Sequence, residues 1–165
     1  RNITPLCFLA GPASGRFGFP LVNAIPLVPG ATGTVIYFEE WDDPHISAIR
    51  WVSELIGIAG GDDIFPELAA SPSGAGRIIA DSQEVVRRAP DIIIGSWCGK
   101  KFRPEKVATR PDWGSIPAVR TGALYEVKSV EILQPGPAAL TDGLARLCEI
   151  IHHWHGSPGE GASVG

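Results

Sequence analysis

Asp91-Ile92-Ile93-Ile94-Gly95 constrains the fold more than any other segment of the chain. Three consecutive isoleucines put β-branched side chains on both faces of an extended strand, so neither face can meet water. A strand of that kind belongs inside a sheet, with helices covering it above and below. The rest of the chain supplies suitable elements. Val35-Ile36-Tyr37-Phe38 reads as a second buried strand, and Leu124 to Val127 as another. Asp43-Pro44 predicts a helix start, with Pro at the first helical position. The stripe Ile46, Ile49, Val52, Leu55, Ile56 and Ala59 continues that helix until Gly60-Gly61 stops it.

Further along, Arg77 to Ala80 reads as a short strand, and Asp81-Ser82-Gln83-Glu84 as a capping box opening a helix that Pro90 ends. Arg103-Pro104 opens a short helix. Ile116 to Val119 reads as a strand joined to Leu124 to Val127 across a tight Thr121-Gly122 hairpin. Lys128 to Gln134 is expected to be a loop. Pro135-Gly136-Pro137 starts a last helix, whose apolar stripe is Leu140, Leu144, Leu147, Cys148 and Ile151. The alternation predicts an α/β domain with a largely parallel sheet over residues 34–155. Residues 1–33, Gly/Pro-rich and charged only at Arg1 and Arg16, stand apart as an unassigned segment, and 156–165 as a flexible tail.

Composition excludes several classes. The 165 residues are 44% hydrophobic and 19% charged, which argues against wholesale disorder, and a net charge of −4 argues against general nucleic-acid binding. Cys7, Cys98 and Cys148 are too far apart for a zinc site or a disulfide framework. Phe17 to Phe38 is uncharged, but Pro20, Pro26, Pro29, Gly30 and Gly33 break any membrane helix there. Pro5 interrupts the apolar run Ile3 to Ala10, leaving no credible export signal. A start at Arg1 reads as a processed or truncated product.

Ligands of parallel sheets bind beyond the carboxyl ends of the strands. The two richest exits are Glu39-Glu40-Trp41-Asp42-Asp43 and Ser96-Trp97-Cys98-Gly99-Lys100-Lys101-Phe102. Trp41, Trp97 and Phe102 offer rigid apolar faces for a flat organic ligand. Glu39, Glu40, Asp42, Lys100 and Lys101 offer hydrogen bonds at its edge. Cys98 beside two lysines, with His45 as base and Glu40 or Asp42 orienting it, gives the competing reading of a thiol-dependent enzyme. A fragment without activity is a third. His152-His153-Trp154-His155 reads as a solvated terminus rather than a metal site, and Arg87-Arg88 as a solvated helix face.

The order strand, Glu39-Glu40-Trp41, helix, Gly60-Gly61-Asp62-Asp63-Ile64-Phe65, then Asp81-Ser82-Gln83-Glu84-Val85-Val86 and Ala89-Pro90-Asp91-Ile92-Ile93-Ile94 carries a resemblance. It is similar to the carboxyl-terminal lobe of the cobalamin- and iron-siderophore-binding proteins that feed ABC importers. Gly95-Ser96-Trp97-Cys98-Gly99-Lys100-Lys101-Phe102 most resembles their cobalamin-binding branch. Ile116 to Arg120, Leu124 to Val127 and Gln134 to Pro137 fit the same lobe.

The resemblance implies a noncatalytic, Rossmann-like three-layer lobe of a helical-hinge periplasmic binding protein. It implies a transported ligand, cobalamin or another corrinoid, rather than a resident cofactor or metal. Ligand contacts are then expected at Glu39, Glu40, Trp41, Trp97, Cys98, Lys100, Lys101, Phe102, Glu131 and Gln134. Permease docking is expected at Gln83, where the family carries Glu, with Glu84 as the substitute. Residues 1–33 do not resemble the first lobe or its connecting helix, so the chain is expected to represent mainly the second lobe. A homodimer would rebuild a two-walled site, and the family's place of work is periplasmic or extracytoplasmic.

Overall fold

The all-apolar run does form the centre of the sheet. A computed structural model describes residues 33–156. The Gly/Pro-rich segment before Gly33, with Cys7, and the tail beyond Gly156 lie outside the described residues. Strand β4 (Ile92–Gly95) is buried along its whole length. It pairs in parallel with β1 (Val35–Asp42) on one side and with β5 (Leu124–Glu126) on the other. The far edge of β1 is shared: the two-residue β3 (Asp62–Asp63) pairs in parallel with its start, and β2 (His45–Ser47) pairs antiparallel with its end. The sheet order is therefore β2-β1-β4-β5, with β3 also on β1. This is the expected α/β architecture with a mostly parallel sheet.

Both faces of β1 are covered. Ile36 and Ile151 close on Gly61, where an added Cβ would lie 2.3 Å from the Ile36 Cδ1 atom. Tyr37, the next residue, points the other way and meets Phe65 and Trp113 edge-on, each at 5.9 Å between ring centroids. Helix α1 (Arg50–Ile58) buries Val52, Leu55 and Ile56, the apolar spacing that predicts it. It ends as expected at Gly60, whose φ of 94° is left-handed. Short helices α2 (Pro66–Ala69), α3 (Gln83–Arg88) and α4 (Pro104–Ala108) follow in the connections.

Six stretches differ from the sequence expectation. The helix predicted from Pro44 begins at Arg50, because Asp43-Pro44, a cis peptide, turns β1 back into β2. Ile46 therefore belongs to a strand, not to the helical stripe. Arg77 ends a 3-10 turn (Ala75–Arg77), and the predicted strand reduces to one bridge between Ile46 and Ile78. The capping box is half made: Asp81 Oδ1 accepts the Gln83 N–H at 2.9 Å, while Glu84 turns to Arg87 and Arg88.

The fourth difference matters most for function. Ile116 to Val119 is not a strand; α5 (Pro117–Thr121) occupies that stretch, with Pro at its first turn and Gly122 at φ 72° behind it. The hairpin is therefore replaced by a helix, and β5 runs parallel to β4. Lys128 to Gln134 contains a further short helix, α6 (Ser129–Ile132). A π-type turn (Ala139–Gly143) leads into α7 (Leu144–Gly156) and shifts the helical phase there. Ala139 faces inward instead of Leu140, which is 67% exposed, while Leu147, Cys148 and Ile151 are buried as expected.

Candidate functional site

Because β1, β4 and β5 are mutually parallel, their carboxyl ends open on one rim. An open groove of about 430 Å³ lies there. Trp97, Gly99, Lys100 and Lys101 line it from the β4 exit, and Glu126, Lys128, Ser129 and Val130 from the β5 exit. The structure thus brings Trp97, Lys100 and Lys101 of the sequence-predicted set together. It adds four residues from β5 and the segment after it. The sequence reading places the ligand contacts of this stretch further on, at Glu131 and Gln134.

Beneath the groove lies a buried polar cluster centred on Glu39, which is fully buried. Its carboxylate accepts a two-pronged contact from Arg110 at 2.7 and 2.8 Å, the Trp97 indole N–H at 2.9 Å and the Tyr37 hydroxyl at 2.9 Å. Burial, followed by the Glu39 charge, pushes the Tyr37 hydroxyl well above its ordinary pKa, so it remains a donor. The planar guanidinium fork suits a carboxylate, and such charge-assisted pairs fix geometry as well as energy. Arg110 also stacks 4.4 Å from the Trp113 ring. Glu39 therefore holds Trp97 from below rather than facing the groove.

The sequence reading of Trp97 and Phe102 as open aromatic faces needs correcting. They are 3% and 2% exposed, and their rings meet edge-to-face at 5.0 Å. Gly95 makes this possible, because a Cβ there would fall 1.9 Å from the Phe102 ring. The Phe102 N–H donates to Glu126 at 3.0 Å, tying the β4 exit to β5. Trp97 supplies the floor of the groove, and Phe102 props it.

Trp41 is half-buried, its indole N–H donating to the Asp43 carbonyl at 2.8 Å. The Lys100 ammonium lies 4.2 Å from its ring centroid and 5.2 Å from that of Trp97. The same ammonium pairs with Asp42, which Lys106 also approaches at 3.9 Å. Burial pushes the Asp42 carboxyl up, but the Lys100 hydrogen bond and charge, helped by Lys106, outweigh it and hold the pKa below the usual range. Lys100 is thus a cation stretched over two indoles at the head of the groove. Replacing it with Ala removes that cover from Trp41, so the expected result is stronger quenching of tryptophan emission by added acrylamide, an uncharged quencher. Unchanged quenching would show that the ammonium does not shield the ring.

Other predicted residues are used differently. Glu40 is the extra residue of a bulge between the Glu39 and Trp41 pairings, and its carboxylate meets the buried Arg77 at 2.5 and 3.1 Å. Arg77, expected in a strand, instead anchors that bulge, with a further bond to the Ser47 carbonyl at 2.6 Å. Cys98 is exposed, but His45 is not directed to it. The His45 ring lies 5.5 Å from Trp113, and its Nδ1 is 3.5 Å from Glu39. The thiol reading therefore lacks its base. Glu131 is half-buried and Gln134 exposed, and neither lines the groove. Gln83 donates to Asp112 at 2.9 Å, and Glu84 is paired with Arg87 and Arg88. Among the described residues, no group of three or more potential ligands is arranged for a metal ion.

His45 gives a pH signature. Burial of its ring lowers its pKa, outweighing the attraction of Glu39, whose charge is shared with Arg110. Between the ordinary value near 6.5 and the depressed one, the unfolded chain binds a proton that the folded chain refuses. Stability from this residue is therefore complete above about pH 6.5 and falls as pH drops through that window. The expected result is that His45→Phe flattens the dependence of Tm on pH between 7 and 5, compared with the parent protein.

The sequence matches the Periplasmic binding protein family over residues 27–131. The chain belongs to that family. Its fold is also that of solved periplasmic binding proteins. A possible iron-binding, periplasmic solute-binding protein from Staphylococcus epidermidis is 21% identical with a TM-score of 0.64, over 78% of this chain and 49% of that one. The periplasmic vitamin B12 binding protein of Vibrio cholerae is 18% identical with a TM-score of 0.55, over 75% and 46%. A periplasmic binding protein from Veillonella parvula is 25% identical with a TM-score of 0.57, over 79% and 45%. This periplasmic binding protein chain spans about half the length of the solved structures it matches. No curated protein matches it. None of its described helices is long and apolar enough to cross a membrane.

Proposed function

We propose that this chain is a substrate-binding component of an ABC importer, and that its rim groove holds cobalamin or a related corrinoid outside the cytoplasmic membrane. The observation that carries the reading is the convergence of two parallel strand exits on one open groove floored by an indole. Family membership supports a binding role, and the vitamin B12 binding protein of Vibrio cholerae shares the fold. A groove of this openness forms one wall of a site, and burying only one side of a ligand gives weak binding. A facing lobe or a second copy of the chain would supply the other wall. Glu84, the proposed contact to a permease, must exchange its arginine partners to dock, a step suited to reversible association.

The test is titration with cyanocobalamin, following tryptophan emission and calorimetric heat. Saturable quenching with matching heat, weakened by Trp41→Ala, is the expected result. No saturable signal at millimolar ligand would sink the corrinoid reading.

A further inference from the structure

We infer that the rim groove selects a ligand whose edge carries at least two anionic groups, such as a macrocycle or chelate with carboxylate arms. This inference rests on the groove being the ligand-binding face. Lys100, Lys101 and Lys128 converge on it from two strand exits, although the chain as a whole has a net charge of −4. The three lysines outnumber Glu126, the one carboxylate of the groove lining. Glu126 accepts the Phe102 N–H at 3.0 Å, and Asp42 is shared by Lys100 and Lys106. Among the described residues, neither Lys101 nor Lys128 forms an ion pair.

With Glu126 the sole carboxylate of the lining, the two ammoniums outside any ion pair leave the groove net positive, and a concave surface focuses that field. A neutral ring seated there would strip water from both and return no charge-assisted hydrogen bond. An anionic edge supplies that bond at each wall. Among ligands of one ring type, the same lysines therefore favour the anionic-edged member over its neutral counterpart, and such a difference of affinities is specificity. Lys100 adds a third donor on a tether, since its present contacts are one carboxylate and two ring faces.

The experiment uses one macrocycle in two charge states: dicyanocobyrinic acid heptacarboxylate and its heptamethyl ester. Each is titrated calorimetrically at low and high ionic strength, while the amide resonances of Gly99 and Ser129 report groove occupancy. The heptacarboxylate is expected to bind about tenfold or more tighter at low salt, with the advantage shrinking as salt screens it. The double variant Lys101→Glu/Lys128→Glu, checked for folding by circular dichroism, is expected to remove the preference, read as the ratio of the two affinities. If both forms shift Gly99 and Ser129 with equal affinity, and the double variant changes nothing, the anionic inference is overturned while the groove remains the binding face. If neither form shifts those resonances, the groove reading itself fails and the inference with it.

Discussion

Glu39→Ala is expected to destabilise the fold by about 3–5 kcal/mol, the usual consequence of removing one partner from a buried ion pair. The carboxylate is fully buried and receives four hydrogen bonds, two from Arg110 and one each from Trp97 and Tyr37. Its loss leaves a guanidinium with only 13% exposure and two buried neutral donors without an acceptor. Glu39→Gln should fall between the two, because the amide turns an NH₂ toward at least one existing donor. Urea denaturation followed by far-UV circular dichroism measures both. A loss below about 1 kcal/mol for the Ala variant would mean that water takes over the four bonds and the cluster does not hold the rim. Arg110→Ala adds a distinct signature. It removes a cation that lowers the His45 pKa, so His45 should titrate higher in that variant.

The second large effect is expected at Gly95. Gly95→Ala puts a methyl group 1.9 to 2.7 Å from three ring atoms of Phe102. The ring has little room to retreat, since Trp97 packs against it at 5.0 Å and its own N–H is fixed to Glu126. Overpacking of a filled core costs about 1–3 kcal/mol. The displacement should also reach the groove, because Trp97, which floors it, packs directly against Phe102. The expected result is a drop in Tm together with weaker binding at the rim. A smaller side chain at 102 relieves the clash, so Gly95→Ala/Phe102→Val should be less destabilised than the sum of its single changes. Strict additivity would show that the methyl group is accommodated elsewhere.

How much of this could be read from residues alone depended on the range of the interaction involved. The Ile92–Ile94 strand was legible because its burial requirement is written in three adjacent side chains. Helix α1 was legible where its stripe is regular, but Ile46 fell in phase with that stripe by coincidence and belongs to a strand. At Ile116 to Val119 the β-branched residues suggested a strand, while Pro117 and Gly122 carried the stronger punctuation of a short helix. The strand after Gly122 was legible, but the turn beyond it was not, and Lys128 and Val130 rather than Glu131 and Gln134 line the groove.

The candidate site shows the same division. The strand exits were identifiable because connections after parallel strands gather at one edge, and Lys100 and Lys101 do line the groove there. The orientations were not identifiable. Whether Trp97 faces solvent or core is decided by Glu39, 58 positions away, and by Arg110, 71 positions from Glu39. No local pattern announces an ion pair across such a separation. Glu39 in particular reads as a polar rim residue because it follows a strand, yet the bulge at Glu40 keeps it inside. Arg77 was hidden for the same reason, since its partner lies 37 positions upstream.

The contact between Thr34 and His155, 2.9 Å from hydroxyl to ring nitrogen, has a practical consequence. It brings the first and last described segments together at the amino end of β1, whereas the groove sits past its carboxyl end. The eight residues of β1 separate the two by about 26 Å. A surface anchor, fluorophore or fused module joined at either of these neighbouring points would begin on the side opposite the groove. Immobilising the protein through them would orient every copy with its open face outward, so one attachment chemistry serves all the binding measurements above.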